Sequence, residues 1–405
     1  MRYLQISTVV SYTSVGRIIR QNYDDKKAQG WDCLIAYGRG DSVEGYNTIK
    51  IGTELDCKMQ GIATRLFDKH GYGSKHATRK FLKEMDEYNP NVIHLHNIHG
   101  YYINYELLFK WLKAHPERRV IWTLHDCWAI TGHCAYFTAA KCFKWKTQCV
   151  HCSQKKRYPS SFLFSNTQEN YRRKKEAFTG VKGMTLIVPS YWLKSIVQES
   201  YLREYKIEVI HNKIDTNIFK PTSSNFREIY GLMDKKVILG VANVWEERKG
   251  LDDFIRLASM LDKQFAIVLI GLNKKQIKQI KKIPNVTVSV MQKYNSQITI
   301  YDDMACGEIV TNVDRVAIHQ GIDNLYYYIT KMYGKIIYEE TAAQFICMEK
   351  TDSARELAAL YTMADVFVNP TYEDNYPTVN LEAIACGTKV ITYDVGGCKE
   401  TLEKF

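Results

Sequence analysis

The sequence has no apolar run approaching the ~18 residues that a membrane-spanning helix needs, so no transmembrane segment is expected. Its opening residues lack the apolar h-region of a secretory signal. These two absences predict a cytoplasmic protein. In that reduced compartment the eleven cysteines are not chiefly disulfide partners. Negative charge is in deficit as well: 44 acidic side chains stand against 55 basic ones, a net charge of +11. The surplus points to an anionic partner, whether nucleic acid, an anionic membrane face or a phosphorylated substrate, without choosing among them. A hydrophobic fraction of 45% and a charged fraction of 24% are ordinary for a soluble globular chain, and 405 residues suffice for two domains with separate cores.

What is present is an alternation of strand and helix patterns. Short β-branched and apolar runs fall at 2–6, 31–37, 92–96, 119–124, 185–189 and 206–211, then at 236–242, 265–270, 285–290, 365–369 and 389–393. Helical stretches separate most of them. The alternation predicts an α/β chain of two doubly wound, Rossmann-like parallel-sheet domains facing a cleft. The first is expected over 1–218 and the second over 236–405, with a polar linker at 219–235.

Candidate chemistry lies where strands end. Gly16 sits between the first strand and a helix beginning at Arg17, a place for a phosphate-facing loop or for simple turn geometry. His94, His96, His99 and His125 fall at or just past two strand ends, and Asp126 follows. At least one of His99 and His125 is expected to line an active cleft, since a neutral imidazole bonds a sugar hydroxyl or phosphate oxygen near neutral pH. Cys149 and Cys152 form a C-x-x-C pair that Cys134 and Cys142 can complete as a closed tetrathiolate. A structural zinc, four free thiols or a disulfide pair all fit that spacing. Cations cluster at 155–157 and 172–175, either on a solvated helix face or on a surface for anionic lipid.

The stretch 365–387 reads as strand, polar loop and helix, ending at Gly387. This places a loop at the carboxyl edge of a parallel sheet with helix amides behind it, an anion crevice. Asp374 and Glu382 flank the helix start, eight residues apart. Arg248 and Lys249 precede another helix; a guanidinium fork and a compact ammonium together suit a diphosphate.

With these residues in view, the chain resembles glycosyltransferase family 4: retaining, nucleotide-sugar-dependent enzymes of the GT-B fold. It is similar more narrowly to bacterial members of surface-polysaccharide type, through the segments 125–134, 145–152, Tyr158-Pro159 and 244–250. The resemblance spans about 1–291 and 349–400. It implies that Arg248 and Lys249 hold a donor diphosphate of UDP or GDP type. Tyr376, Pro377, Thr378 and Val379 then face that diphosphate at the helix start, and Glu382 bonds the ribose. Asp374, where relatives usually carry Glu, is implied near the donor sugar, His125 beside the reacting sugar, and Gly16 near the phosphates. His99 and Asp126 are expected in the cleft. The implied acceptor is a glycan or lipid-linked sugar, with peripheral contact to the inner membrane face. No catalytic metal and no nucleic acid are expected.

Three departures accompany the resemblance. Lys213 stands where relatives often carry Gly. Residues 292–347 have no counterpart and read as an insertion, strand-like at 298–301 and 316–318 and helical over 325–333. The chain stops at Phe405, short of the expected terminal helices. The insertion, Asp374 in place of the usual Glu and the short C-terminus frame the competing expectation, a catalytically impaired sugar-nucleotide-binding protein of the same fold.

Overall fold

The computed structural model describes residues 1–11, 13–291, 298–301, 313–333 and 343–403, arranged as two compact units, Met1–Asn212 and Lys213–Phe405. The first runs β1 (Arg2–Ser7), α1 (Ser14–Ala28), β2 (Asp32–Tyr37), β3 (Thr48–Lys50), α2 (Glu54–Phe67), α3 (Lys75–Tyr88), β4 (Val92–Leu95), α4 (Tyr105–Ala114), β5 (Arg119–Thr123), α5 (Thr167–Phe178), β6 (Thr185–Val188), α6 (Tyr191–Gln198) and β7 (Lys206–Val209). The second runs α7 (Phe226–Ile229), β8 (Lys236–Val241), α8 (Leu251–Met260), β9 (Phe265–Ile270), α9 (Lys274–Ile280), β10 (Val288–Met291), β11 (Arg315–Ile318), α10 (Ile322–Tyr333), β12 (Gln344–Met348), α11 (Ala354–Met363), β13 (Val366–Asn369), α12 (Thr378–Ala385) and β14 (Lys389–Tyr393).

Each unit holds one seven-stranded sheet, ordered β3-β2-β1-β4-β5-β6-β7 and β10-β12-β9-β8-β13-β14-β11. Every strand pair described is parallel, for example Tyr3 opposite Val92 and Ile238 opposite Val366. Parallel strands need helical crossovers, and the helices bury both sheet faces. That is why β9, Phe-Ala-Ile-Val-Leu-Ile, is apolar and buried throughout. Gly240 in β8 lets the sheet and its cover helix close up, because a Cβ there would lie 2.5 Å from the Phe254 ring of α8. In both sheets the winding reverses beside the first strand, between β1 and β4 and between β8 and β13. Loops leaving the carboxyl ends of those strand pairs are the places for a ligand.

The stretch 219–235, expected as linker, packs into the second unit. Phe219 and Phe226 are buried in its core, and Arg227 joins Asp365 at 2.6 Å. The expected insertion is part of the sheet. β11 extends the edge beside β14, β12 lies inside between β10 and β9, and Leu325 and Ile329 of α10 are fully buried. The strand expected at 298–301 is reduced to one antiparallel bridge, Ser224 with Ile300. The remainder of 292–347 lies outside the described residues except 313–333 and 343–347.

β3 and α2 are elements the strand and helix pattern above did not single out. In α2 the buried positions are Cys57, Gln60, Gly61 and Thr64, so its inner face does not read as apolar.

Candidate active site

In the second unit, the loop after β8 ends in Arg248 and Lys249, and the loop after β13 carries residues 370–377. β8 and β13 are hydrogen-bonded neighbours, so these two loops meet at the switch point of the sheet. Two glycines set the approach. Gly250 has φ +75°, and a Cβ there would lie 2.2 Å from the Pro370 carbonyl oxygen. Gly396 has φ +57°, and its Cβ would lie 1.9 Å from the Asp374 carbonyl oxygen. Neither place admits a side chain. The Tyr372 amide then donates to the Arg248 carbonyl at 2.7 Å and the Gly397 amide to the Asp374 carbonyl at 3.1 Å.

Across this junction Lys249 Nζ donates to Asp374 Oδ2 at 2.6 Å, and Arg248 Nη1 donates to the Glu373 carbonyl at 2.9 Å. The same guanidinium lies 3.8 Å from Asp374 Oδ2 and bonds Glu246 at 3.0 Å through Nε. Burial alone would push the Asp374 carboxyl up; Lys249 and Arg248 outweigh it and hold the group below its ordinary value. Asp374 is therefore ionised and fixes the ammonium in place.

α12 starts without a side-chain cap and without an acidic residue in its first turn. Pro377 has no N–H, and the Tyr376 amide donates to Asp374 Oδ1 at 3.3 Å. Of the four residues expected to face a diphosphate, Thr378 and Val379 supply the first-turn amides. The helix is anchored at its start: Asn369 Nδ2 donates to Asn380 Oδ1 at 2.9 Å, and Asn380 Nδ2 donates to Thr401 Oγ1 at 2.8 Å. Glu382 is buried, and Tyr361 of α11 donates its hydroxyl to Glu382 Oε2 at 3.1 Å. The structure thus joins Asp374 to Lys249 and sets Glu382 against Tyr361.

In the first unit, His125 and Asp126 follow β5, and His96 and His99 follow β4. A hydrogen-bond chain sets their tautomers. Gln5 Nε2 donates to the Ile19 carbonyl at 2.9 Å, so Gln5 Oε1 accepts from His96 Nε2 at 3.2 Å. Burial holds His96 neutral, leaving Nδ1 to accept from His125 Nε2 at 3.1 Å. His125 is then the Nε2–H tautomer with an unprotonated Nδ1. Burial pushes it down to about 4, against the pull of Asp126. His99 Nε2 lies 2.8 Å from Asp126 Oδ2, and His99 Nδ1 lies 3.0 Å from the Tyr158 hydroxyl. Burial opposes ionisation of Asp126, but His99 and the Trp128 amide hold its carboxyl low. His94, bonded to Tyr3 and Thr123 at 2.6 and 2.7 Å, is structural.

Gly16 lies in the first turn of α1, where its amide donates to the Thr13 hydroxyl at 3.0 Å. A Cβ there would lie 2.8 Å from the Val10 carbonyl oxygen, so close backbone packing accounts for this glycine.

Cys134, Cys142, Cys149 and Cys152 line one cavity beside Trp145 and His133. The Cys134 thiol donates to Cys152 and holds the Cys152 thiol below its ordinary range, while burial pushes Cys149 up to about 11. Among the described residues no group of three or more His, Cys, Asp or Glu side chains is disposed to hold a metal ion, so the geometry gives the zinc reading no support. In the basic run 172–175, Arg172, Arg173 and Lys174 are each engaged within the protein. Arg172 bonds Glu169 and Glu176, and Arg173 bonds Glu106. Lys174 is buried with Nζ on the Trp128 and Thr131 carbonyls at 2.8 and 3.0 Å.

Sequence reasoning missed Gly250, Tyr361 and Lys174. The first lies in the loop that carries Arg248 and Lys249, but its need for φ > 0 shows only in the backbone. The other two are set by packing between residues far apart in sequence.

Two doubly wound parallel sheets in one chain, the second with a paired Arg-Lys and acid at its switch point, define the GT-B class of glycosyltransferase. The chain belongs to glycosyltransferase family 4. The family model described as Glycosyltransferase Family 4 matches residues 27–218, and Glycosyl transferases group 1 matches 332–405. Asp374 and Glu382 fall in the second span, whereas Arg248 and Lys249 lie between the two. The putative colanic acid biosynthesis glycosyl transferase WcaC of Escherichia coli (strain K12) is 30% identical over 135 residues, covering 31% of this chain and 32% of that protein. This match thus spans about a third of its curated relative's length. Among solved structures, sucrose-phosphate synthase from Thermosynechococcus elongatus aligns over 99% of this chain and 83% of its own, with TM-score 0.60 and 14% identity. Anabaena HepE in complex with UDP aligns over 99% and 82%, with TM-score 0.53 and 14% identity. At such identities the structural matches establish the fold alone.

Proposed function

We propose that this protein transfers a sugar from a nucleoside-diphosphate sugar, of UDP or GDP type, to a glycan or lipid-linked acceptor in surface-polysaccharide synthesis. The observation that carries the reading is the Arg248–Lys249–Asp374 cluster beside the uncapped start of α12. When the donor's glycosidic bond breaks, negative charge grows on the diphosphate oxygens. Arg248, Lys249 and the amides of Thr378 and Val379 meet that charge, and an environment fixed beforehand does so without reorganisation. Asp374 acts beside the donor sugar and keeps Lys249 oriented. Glu382, held by Tyr361, is assigned to the ribose. His125, neutral with Nδ1 unprotonated, bonds a sugar hydroxyl, with His99 and Asp126 on the acceptor side. Retention of anomeric configuration is part of the proposal.

HepE, of the same fold, has been crystallised with UDP and with UDP-glucose, which supports a uridine donor as the first to try. The test is a screen of UDP, GDP and their sugars for thermal stabilisation, followed by detection of released nucleoside diphosphate with a glycan acceptor. One nucleotide should stabilise the protein, and its sugar should turn over. Turnover should persist in a chelator, because protein cations meet the leaving-group charge. Absence of stabilisation by every nucleotide would defeat the reading.

A further inference from the structure

α2 is turned inside out. Its N-terminus is closed by a capping box, with Thr53 Oγ1 accepting from the Asp56 amide at 3.2 Å and Asp56 Oδ2 accepting from the Thr53 amide at 2.8 Å. The face it buries is Cys57, Gln60, Gly61 and Thr64. The opposite face, at spacings of four and three residues, carries Leu55, Met59 and Ile62, which are 67%, 60% and 49% exposed. Large apolar side chains lined along one solvent face are not the ordinary scatter of surface hydrophobics.

A second element extends the patch. The segment 162–164 is strapped to the C-terminal turn of α2: the Phe162 amide donates to the Arg65 carbonyl at 2.8 Å and the Phe164 amide to the Leu66 carbonyl at 3.2 Å. Phe162, Leu163 and Phe164 are 57%, 63% and 57% exposed. The Phe164 ring stacks on Phe67 with centroids 5.8 Å apart, which joins strap and helix into one surface. Cations border it. Lys58 and Arg65 are exposed on α2, and Lys69 is exposed with Nζ 5.8 Å from the Phe67 ring centroid. The acids of α2 are spent at its start, Asp56 in the capping box and Glu54 on Lys50 at 2.9 Å.

We propose that α2 and the 162–164 strap form a docking surface for an anionic lipid bilayer. Three consecutive exposed apolar residues at a strap suit insertion among acyl chains, where no matching groove is needed. Exposed Lys and Arg beside them match anionic headgroups, as in amphipathic helices that lie in a membrane interface. A second copy of this chain would suit the helical stripe but would set the same cations against each other. The strap also begins near the candidate site, since Tyr158, four residues before Phe162, reaches His99 through its hydroxyl. A lipid-linked acceptor would thus be met on the side where it resides. That consequence rests on the proposed function, whereas the docking itself does not.

The test is co-sedimentation of the full chain with vesicles of phosphatidylcholine alone or mixed with phosphatidylglycerol. Binding to the mixed vesicles is expected. Ile62→Ser with Phe162→Ser and Phe164→Ser should weaken it by at least about tenfold. Lys58→Glu with Arg65→Glu should weaken binding to the anionic vesicles by about tenfold or more and abolish its salt dependence. Equal sedimentation of wild type and both variants would overturn the proposal. So would a dimer in solution that the triple variant dissociates, with no vesicle binding. Nucleotide stabilisation measured on the same variants should be unchanged; its loss in wild type would bear on the donor site and not on this surface.

Discussion

At the scale of single residues, Lys249 and Asp374 form a pair with unequal duties. The ammonium has three donors and gives one to Asp374 at 2.6 Å, so a diphosphate can take others without breaking the pair. Lys249→Ala should remove nucleotide stabilisation and lower transfer by about 10²–10³-fold, the range for losing one charge-stabilising donor. Asp374→Asn keeps the shape but frees the ammonium, so nucleotide binding should survive while transfer falls. Wild-type turnover in Lys249→Ala would sink the donor assignment. The histidines make a separate case. Burial pushes His94 down to about 3 and His125 down to about 4, from 6.5. An unfolded imidazole takes its proton first as pH falls below 6.5, so the unfolded chain binds more protons there and stability drops. The loss should approach about 1.4 kcal/mol per pH unit for each buried histidine and level off below the folded values. Thermal midpoints between about pH 7 and pH 5 measure it, and His94→Gln should flatten the slope. A wild-type midpoint that stays flat over that range would show that these rings are not buried neutral.

At the scale of elements, the strands were legible because parallel strands buried on both faces read as continuous apolar runs, as β9 does. The loop 370–377 was legible for a related reason, since proline and polar residues must follow a strand that ends at a sheet edge. The place of β11 was not legible. Chain order does not give sheet order, and nothing in Arg-Val-Ala-Ile says that it will lie beside β14. α2 has apolar residues at helical spacing, Leu55, Met59 and Ile62, but the sequence does not show that this stripe faces solvent while the small and polar face is buried. Lys174 read as surface charge because burial of an ammonium depends on the Trp128 and Thr131 carbonyls that receive it. β11 joins the sheet that carries the donor loop, and α10 packs into the core beneath that sheet, so neither stands apart as an inserted lobe. Leu325→Ala tests this. Leu325 is fully buried, so its truncation should cost roughly 2–5 kcal/mol and lower the melting point of the second unit by roughly 5–15 °C. A separate inserted lobe would leave that melting point unmoved.

At the scale of the whole molecule, the donor assignments divide unevenly between the units. Arg248, Lys249, Asp374, Thr378, Val379 and Glu382 all lie in Lys213–Phe405, which has its own sheet and its own buried core. Gly16 is the one expected donor contact in Met1–Asn212, and the approach of Val10 accounts for it without a ligand. The candidate acceptor groups His99, His125 and Asp126 belong wholly to the first unit. On the proposed function, binding of the leaving nucleotide should be a property of the second unit, and transfer should require residues of both. The fragment 213–405, expressed alone, should fold and be stabilised by the same nucleotide as the full chain. At a hundredfold excess over Kd, binding adds about 2.7 kcal/mol, a readable rise in melting point for a domain of this size. The fragment should catalyse no transfer, and fragment 1–212 should show no nucleotide stabilisation. A folded 213–405 that ignores the nucleotide would mean that the first unit supplies essential donor contacts, and would return Gly16 and its loop to the donor site.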